Sequence, residues 1–397
     1  MYQRRMVVKK KEFLFWIAYI VYLIFSIMQT TFFQEYLLGY YNFIYMFCAG
    51  LLLAQELLSG GWTKKTFIGI IVFTILVMLS IYINERQIMI MLMLVYAGRH
   101  VDFRKISRYT VVITSLLVLF TIMCAKFGII LNYVSTSTGE ERNFLGFRYV
   151  LYGPAFLTNV ILLEIYSKKD KIKYGELTLW FLIATWFYKN THSRLAFYLS
   201  ILMIAFALVM KLNVHLLDNR KVIRWIMSIS FLWIGGAALL LIVFYNGQGI
   251  MKALNDVLTD RLLYGQRSLI AYGVSVLPQE INWVGFGLDY TGQHVAIEGE
   301  MIFVDCLYLK ILQRFGILFF IILFSMLIAT SVQANKNKNY YLLASFFFIA
   351  IHFAIDDLYL YIQYNTFWFV IGSILFGKAY EAIERFNKNT NVIESRE

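Results

Sequence analysis

The sequence predicts an all-α, polytopic integral membrane protein, and three observations carry that prediction. Of 397 residues, 60% are hydrophobic and 18% aromatic, with a mean hydropathy of +0.65, which leaves too little polar surface for a soluble chain of this length. Apolar runs of about 20 residues, the length a helix needs to cross a bilayer, recur along the chain. Two prolines are present, and the residue alternation of a transmembrane β-barrel is absent. A single transmembrane domain over 1–397 is expected.

Twelve runs qualify: 13–33, 37–58, 66–83, 87–98, 110–131, 148–166, 175–189, 195–212, 225–245, 315–333, 340–355 and 359–377. The first follows a basic patch of Arg4, Arg5, Lys9, Lys10 and Lys11. It is longer than a signal-peptide core and lacks a small-residue cleavage site, so it reads as a retained helix. The fourth run is the shortest. With the amino terminus in the cytoplasm, connections 59–65, 99–109, 167–174, 211–224, 334–339 and the tail from Lys378 are cytoplasmic, and twelve spans return the carboxyl terminus to the same side.

Of the 36 Lys and Arg, 25 then lie inside and 11 outside, as the positive-inside rule requires. The 24 acids divide as 11 inside and 13 outside, so the faces carry +14 and −2. The outer bases are nevertheless mostly arginine: Arg86, Arg142, Arg148, Arg194, Arg261, Arg267 and Arg314 against four Lys, where the inner face has nine Arg and 16 Lys. The formal charge of +12 belongs with anionic lipid at the cytoplasmic face, and nucleic acid is not expected as a partner. Cys48, Cys124 and Cys306 suggest no disulfide framework.

Two outer connections are long enough to hold a site: 132–147, and 246–314 between spans nine and ten. The first contains "GEERNFLGFR", with Arg142 and Arg148 near Glu140 and Glu141. The second contains "NDVLTDRLLYGQRSLIAYGVSVL", whose apolar spacing predicts one or two amphipathic helices lying on the membrane surface or dipping into it.

Arginine binds phosphate through a planar, always-charged fork, so several on one face suggest a diphosphate ligand. Each also admits pairing with a neighbouring acid or a lipid headgroup. In "NTHSRLAF", Thr191 or Ser193 is placed to cap the eighth span while Arg194 falls in its first turn. A cation there opposes the helix dipole, and a bound anion would remove the conflict. Arg261 and Arg267 stand six positions apart, about 240° around an ideal helix, so a bend at Gly265 or two ligand groups would be needed to reconcile them. Asp305, Tyr308, Leu309, Leu312 and Gly316 recur at helical spacing, which puts Asp305 on one face with Gly316. A carboxylate near the membrane boundary suits a general base, and pairing with an arginine is its structural alternative. His192, Asp289, His294 and Arg314 are candidate sugar contacts. The five histidines show no ligand spacing, Asp356 and Asp357 are weak evidence for a metal, and no metal or cofactor is expected.

In order along the chain, four elements resemble the O-antigen polymerase and ligase family of Wzy and WaaL type. "RNFLGF" from Arg142 is similar to its Arg-x-x-x-Gly motif, and "HSRLAF" at 192–197 to its Ser-Arg element opening a helix. "DRLLYGQRSLIAYGVSVL" with the following "VGFGL" resembles the arginine-bearing large loop and its Gly-x-Gly turn. "DCLYLKILQRFGILFF" resembles the pattern His-Asn-x-x-Leu-x-x-Leu-x-x-x-Gly. The resemblance covers roughly 110–330, and Asp305 stands where ligases carry histidine, which favours a polymerase.

The resemblance implies a membrane glycosyltransferase in the bacterial cytoplasmic membrane. It would polymerise undecaprenyl-diphosphate-linked oligosaccharide repeat units into capsular polysaccharide, exopolysaccharide or O-antigen on the outer face, with a chain-length regulator as a candidate partner. Arg142, Arg194, Arg261 and Arg267 would contact lipid diphosphate, Asp305 would activate the acceptor, and Asp305, Arg194 and Arg267 form the expected catalytic set. A ligase passing finished glycan to another acceptor and a lipid-linked oligosaccharide flippase are the alternatives. A transporter should place charge and helix breaks at mid-membrane, whereas the charges here gather at one face.

Overall fold

The computed structural model describes residues 2–59, 63–136, 139–285, 288–289, 291–293 and 302–377, without the side chains of 2–11 and Ser59. It is mostly helical, 73% helix and 2% strand. In chain order the α-helices are α1 (Tyr2–Met28), α2 (Tyr41–Ser59), α3 (Lys64–Tyr82), α4 (Arg86–Ala97), α5 (Phe103–Lys126), α6 (Tyr152–Lys168), α7 (Tyr174–Thr191) and α8 (Arg194–Leu212). They continue as α9 (Lys221–Ser228), α10 (Ser230–Val243), α11 (Gly249–Val257), α12 (Arg261–Tyr272), α13 (Leu307–Arg314), α14 (Gly316–Lys336), α15 (Tyr340–Ile355) and α16 (Trp368–Phe376). A hairpin of two-residue strands pairs Val134 with Asn143 and Ser135 with Arg142.

Each of the twelve apolar runs carries helix, but length and composition single out fewer as able to cross a membrane. Among the described residues five qualify, namely α2, α3, α5, α8 and α14, and α9 with α10 makes a sixth if that pair, bent by 60°, is one span. The described parts of α1 and α15 are apolar but shorter. Large apolar side chains on these helices point outward: Phe43 and Met46 are each 70% exposed and Met78 is 64% exposed. A water-soluble fold would bury such surface, whereas a lipid-facing one displays it.

Several polar side chains lie in the interior and are joined there. Tyr19 and Thr110 share a hydrogen bond, the Tyr359 hydroxyl bonds Thr158, and the Asn159 amide donates to Thr366 Oγ1 at 3.0 Å. Close helix approach is set by small residues: a Cβ on Gly372 of α16 would lie 2.2 Å from the Val95 carbonyl oxygen of α4, so only glycine fits that crossing.

The connections sort to two ends. At the opposite end from the long loops, Arg99 pairs with Glu56 at 2.7 Å, Lys168 with Glu176 at 2.8 Å, and the Tyr340 hydroxyl donates to Asp218. At the loop-rich end, Thr31 bridges Phe147, and Arg148 donates to the Gln29 carbonyl at 3.1 Å and the Leu288 carbonyl at 3.3 Å. Arg148 therefore ties three loops together and does not pair with Glu140 or Glu141, as "GEERNFLGFR" alone suggests.

The segment 246–314 holds α11, α12 and α13. The helical face expected to join Asp305 to Gly316 does not form: α13 starts at Leu307, past Asp305, and Gly316 opens α14 at φ +81°. The stretch 275–277 lies against the break. Its Ser275 and Val276 carbonyls accept the Ile317 and Leu318 amides at 2.9 and 3.2 Å, satisfying first-turn donors of α14 that a continuous helix would bond internally.

Candidate functional site

Two clusters of charge occupy the loop-rich end. The first, a rim, is built where the short-strand hairpin meets the α7–α8 turn. Arg142, on the second strand, donates from Nε to the Thr191 carbonyl at 3.0 Å, which fixes the guanidinium plane at the carboxyl end of α7. That is a favourable place for a cation, and its Nη atoms make no hydrogen bond among the described residues. Burial holds the Arg142 guanidinium below its usual range, while Tyr149 and Glu140 pull the other way.

His192 takes the left-handed conformation, φ +50°, that turns the chain from α7 into α8. Its Nδ1 meets Glu140 Oε2 at 3.0 Å, and the other carboxylate oxygen faces Arg194 Nη2 at 3.6 Å. Glu140 thus occupies the place beside Arg194 that an external anion would take. Neither expected cap operates: Ser193 stands at the N-cap but its buried hydroxyl has no hydrogen-bond partner among the described residues, and Thr191 donates back to Phe187. The α8 amino terminus is left without a side-chain acceptor, the condition under which it binds anions.

The second cluster is a buried ring. Arg261, at the start of α12, lies with its Nε 2.7 Å from Asp305 Oδ2, the side chains 11% and 21% exposed. Lys310 of α13 pairs with Asp357, and His352 of α15 faces Asp356 at 3.6 Å. Arg261 Nη1 is buried without a hydrogen-bond partner among the described residues. Burial pushes the Asp305 carboxyl up to about 6, with Arg261 pulling down and Asp357 and Asp356 pushing further up. Tyr149 lies near both clusters, close enough for its charged form to interact with Arg142 and with Asp305 and Arg261.

The remaining expected residues fall around these clusters. α12 runs unbroken through Gly265, which packs on Ile242, so Arg261 and Arg267 diverge; Arg267 is exposed and has no ion pair among the described residues. Arg314 pairs with Glu85 at 2.5 Å, donates to the Ile281 carbonyl and lies over the Trp283 ring. Asp289 accepts from the amides of Thr291 and Gln293, closing a local turn. His294 and part of "VGFGL" lie outside the described residues.

Sequence reasoning passed over Lys310, His352 and Tyr149 and gave Asp356 and Asp357 only a weak metal reading. The usable signal was a set of charges at the edges of apolar runs, each needing a partner. No family model, no curated protein and no solved structure matches this chain.

Proposed function

We propose that the protein is a polytopic glycosyltransferase of about twelve spans with both termini in the cytoplasm. In this reading it polymerises undecaprenyl-diphosphate-linked repeat units at the outer face of the bacterial cytoplasmic membrane. The observation that supports it most is the rim: the free edge of Arg142, Arg194 and the uncapped start of α8 converge where a diphosphate would displace Glu140. Tyr149 lies near both that rim and the half-buried carboxylate Asp305.

In the reaction, a hydroxyl of the acceptor sugar gives its proton to Asp305 as its oxygen attacks the anomeric carbon of the donor. The bond from that carbon to the diphosphate breaks, with inversion of the anomeric carbon as the family resemblance implies. Diphosphate is already a good leaving group, so Arg142 and Arg194 would supply the main catalytic effect by stabilising its developing charge. Neither a metal nor a nucleotide is required. Arg261 would orient Asp305 through the Oδ2 contact, leaving Oδ1 for the proton.

Protein in lipid nanodiscs, given one purified lipid-linked repeat unit, should produce a ladder of products. A single product formed only when a second acceptor is added would instead indicate a ligase, and no product with either would remove glycosyl transfer from consideration.

A further inference from the structure

The buried ring has an odd charge. Three carboxylates, Asp305, Asp356 and Asp357, face two fixed cations, Arg261 and Lys310, and all five side chains are between 11% and 21% exposed. They come from α12, α13, the start of the α15–α16 connection and the residue before Cys306. Of the nearby cations, Arg314 is offset by Glu85 at 2.5 Å, and Arg148 keeps its charge but makes no ion pair with a ring carboxylate, its Nη donors going to the Gln29 and Leu288 carbonyls. The other titratable groups facing the ring, Tyr149, Tyr152, Tyr359, Tyr361 and Cys306, are uncharged at neutral pH. His352 is 3% exposed, with Nε2 toward Asp356 and Nδ1 unpartnered among the described residues.

An uncompensated charge in a dehydrated site is removed by binding a proton, and strongly interacting acids share that proton as a set. We infer that Asp305, Asp356, Asp357 and His352 hold one exchangeable proton at neutral pH, and that Asp356, backed by His352, is a positioning residue that sets how readily Asp305 accepts a proton. Burial and the neighbouring acids hold the carboxyls of Asp305 and Asp357 high, whereas at Asp356 burial is outweighed by His352 and Arg261 and the carboxyl is held low, so the first two are the carboxyls that retain the proton. The part played in turnover rests on the glycosyltransferase reading; the stored proton does not.

The decisive variant is Asp356→Asn, which keeps the oxygen that accepts the Leu358 amide at 2.8 Å and leaves two carboxylates against two cations. In nanodisc-embedded protein followed by infrared difference spectroscopy, the wild type should show a protonated-carboxyl band at neutral pH that bleaches as pH rises, and D356N should lose it. His352→Gln should retain or strengthen it, because the proton is then confined to the carboxylates. A carboxyl band that is the same in wild type and D356N, or no carboxyl band in both wild type and H352Q, would overturn the inference. In the polymer assay the acid limb of D356N should move to lower pH, since a negative neighbour of Asp305 is gone. Polymer formation with unchanged spectra would sink the stored proton alone. Spectra as expected without polymer would sink the glycosyltransferase reading and leave the ring standing.

Discussion

At the rim, Arg194 and Glu140 stand 3.6 Å apart with side chains 61% and 44% exposed; in the ring, Arg261 and Asp305 stand 2.7 Å apart at 11% and 21%. The chemistry is the same guanidinium and carboxylate, but the surroundings invert its meaning. An exposed pair is worth about 0–1 kcal/mol, so Glu140 can yield to an incoming anion at little cost. A buried pair cannot be given up in this way, because removing one partner strands the other and costs about 3–5 kcal/mol. A ligand can therefore exchange at the rim, whereas at the ring it can only add to a framework already closed.

The largest effect should come from opening the ring. Arg261→Ala is expected to lower stability by about 3–5 kcal/mol, read as a fall in the thermal midpoint in detergent, and Arg261→Ala combined with Asp305→Ala should recover part of it. If Arg194→Ala is as damaging as Arg261→Ala, the contrast between the clusters collapses. Arg142→Ala addresses the other side of the comparison. It should leave the fold nearly unchanged yet reduce polymer formation by about 100-fold, the loss typical of one donor to a developing anion.

The pH response of Asp305 sharpens the contrast further. As a base it must be ionised, so activity should rise with pH through about 6 and fall about tenfold per unit below it. Stability should run the opposite way. A carboxyl raised on folding favours the protonated folded form, so its contribution is complete below the unfolded value of about 3.9 and is lost as pH rises through about 6. Parallel activity and unfolding profiles would argue against Asp305 as the base. The smallest effect is Glu140→Gln, which removes the rim's own anion. Inorganic diphosphate should then bind a few-fold more tightly, within the roughly 1 kcal/mol range of exposed pairs, and weaker binding would mean that Glu140 orients the site instead of competing for it.

Much of the fold was legible because the bilayer imposes a one-dimensional rule. Length and hydropathy place helices in all twelve runs, although only five or six of those helices are long and apolar enough to cross by themselves. The rim was legible in part for a similar reason: Arg142, His192 and Arg194 lie in short motifs beside helix ends, where local geometry decides position. The ring was not. Its pairs join α12 to the segment before α13 and α13 to the residues after α15, and no local period encodes such pairings. The face expected to join Asp305 to Gly316 was lost because α13 begins only at Leu307 and because the Ser275 and Val276 carbonyls, distant in sequence, take the first amides of α14.

The sequence by itself determined that this chain is helical and strongly apolar, with Arg142, Arg261, Arg267 and Arg314 in its two long connections, because those properties follow from composition and from spacing along one strand of polypeptide. Only the tertiary structure decided which charges meet, that Arg148 clamps three loops while Arg142 keeps a free edge, and that Asp305 is paired with Arg261 away from water. The physical reason is that a charge's energy depends on its partners and its distance from water, and both are set by how the helices pack.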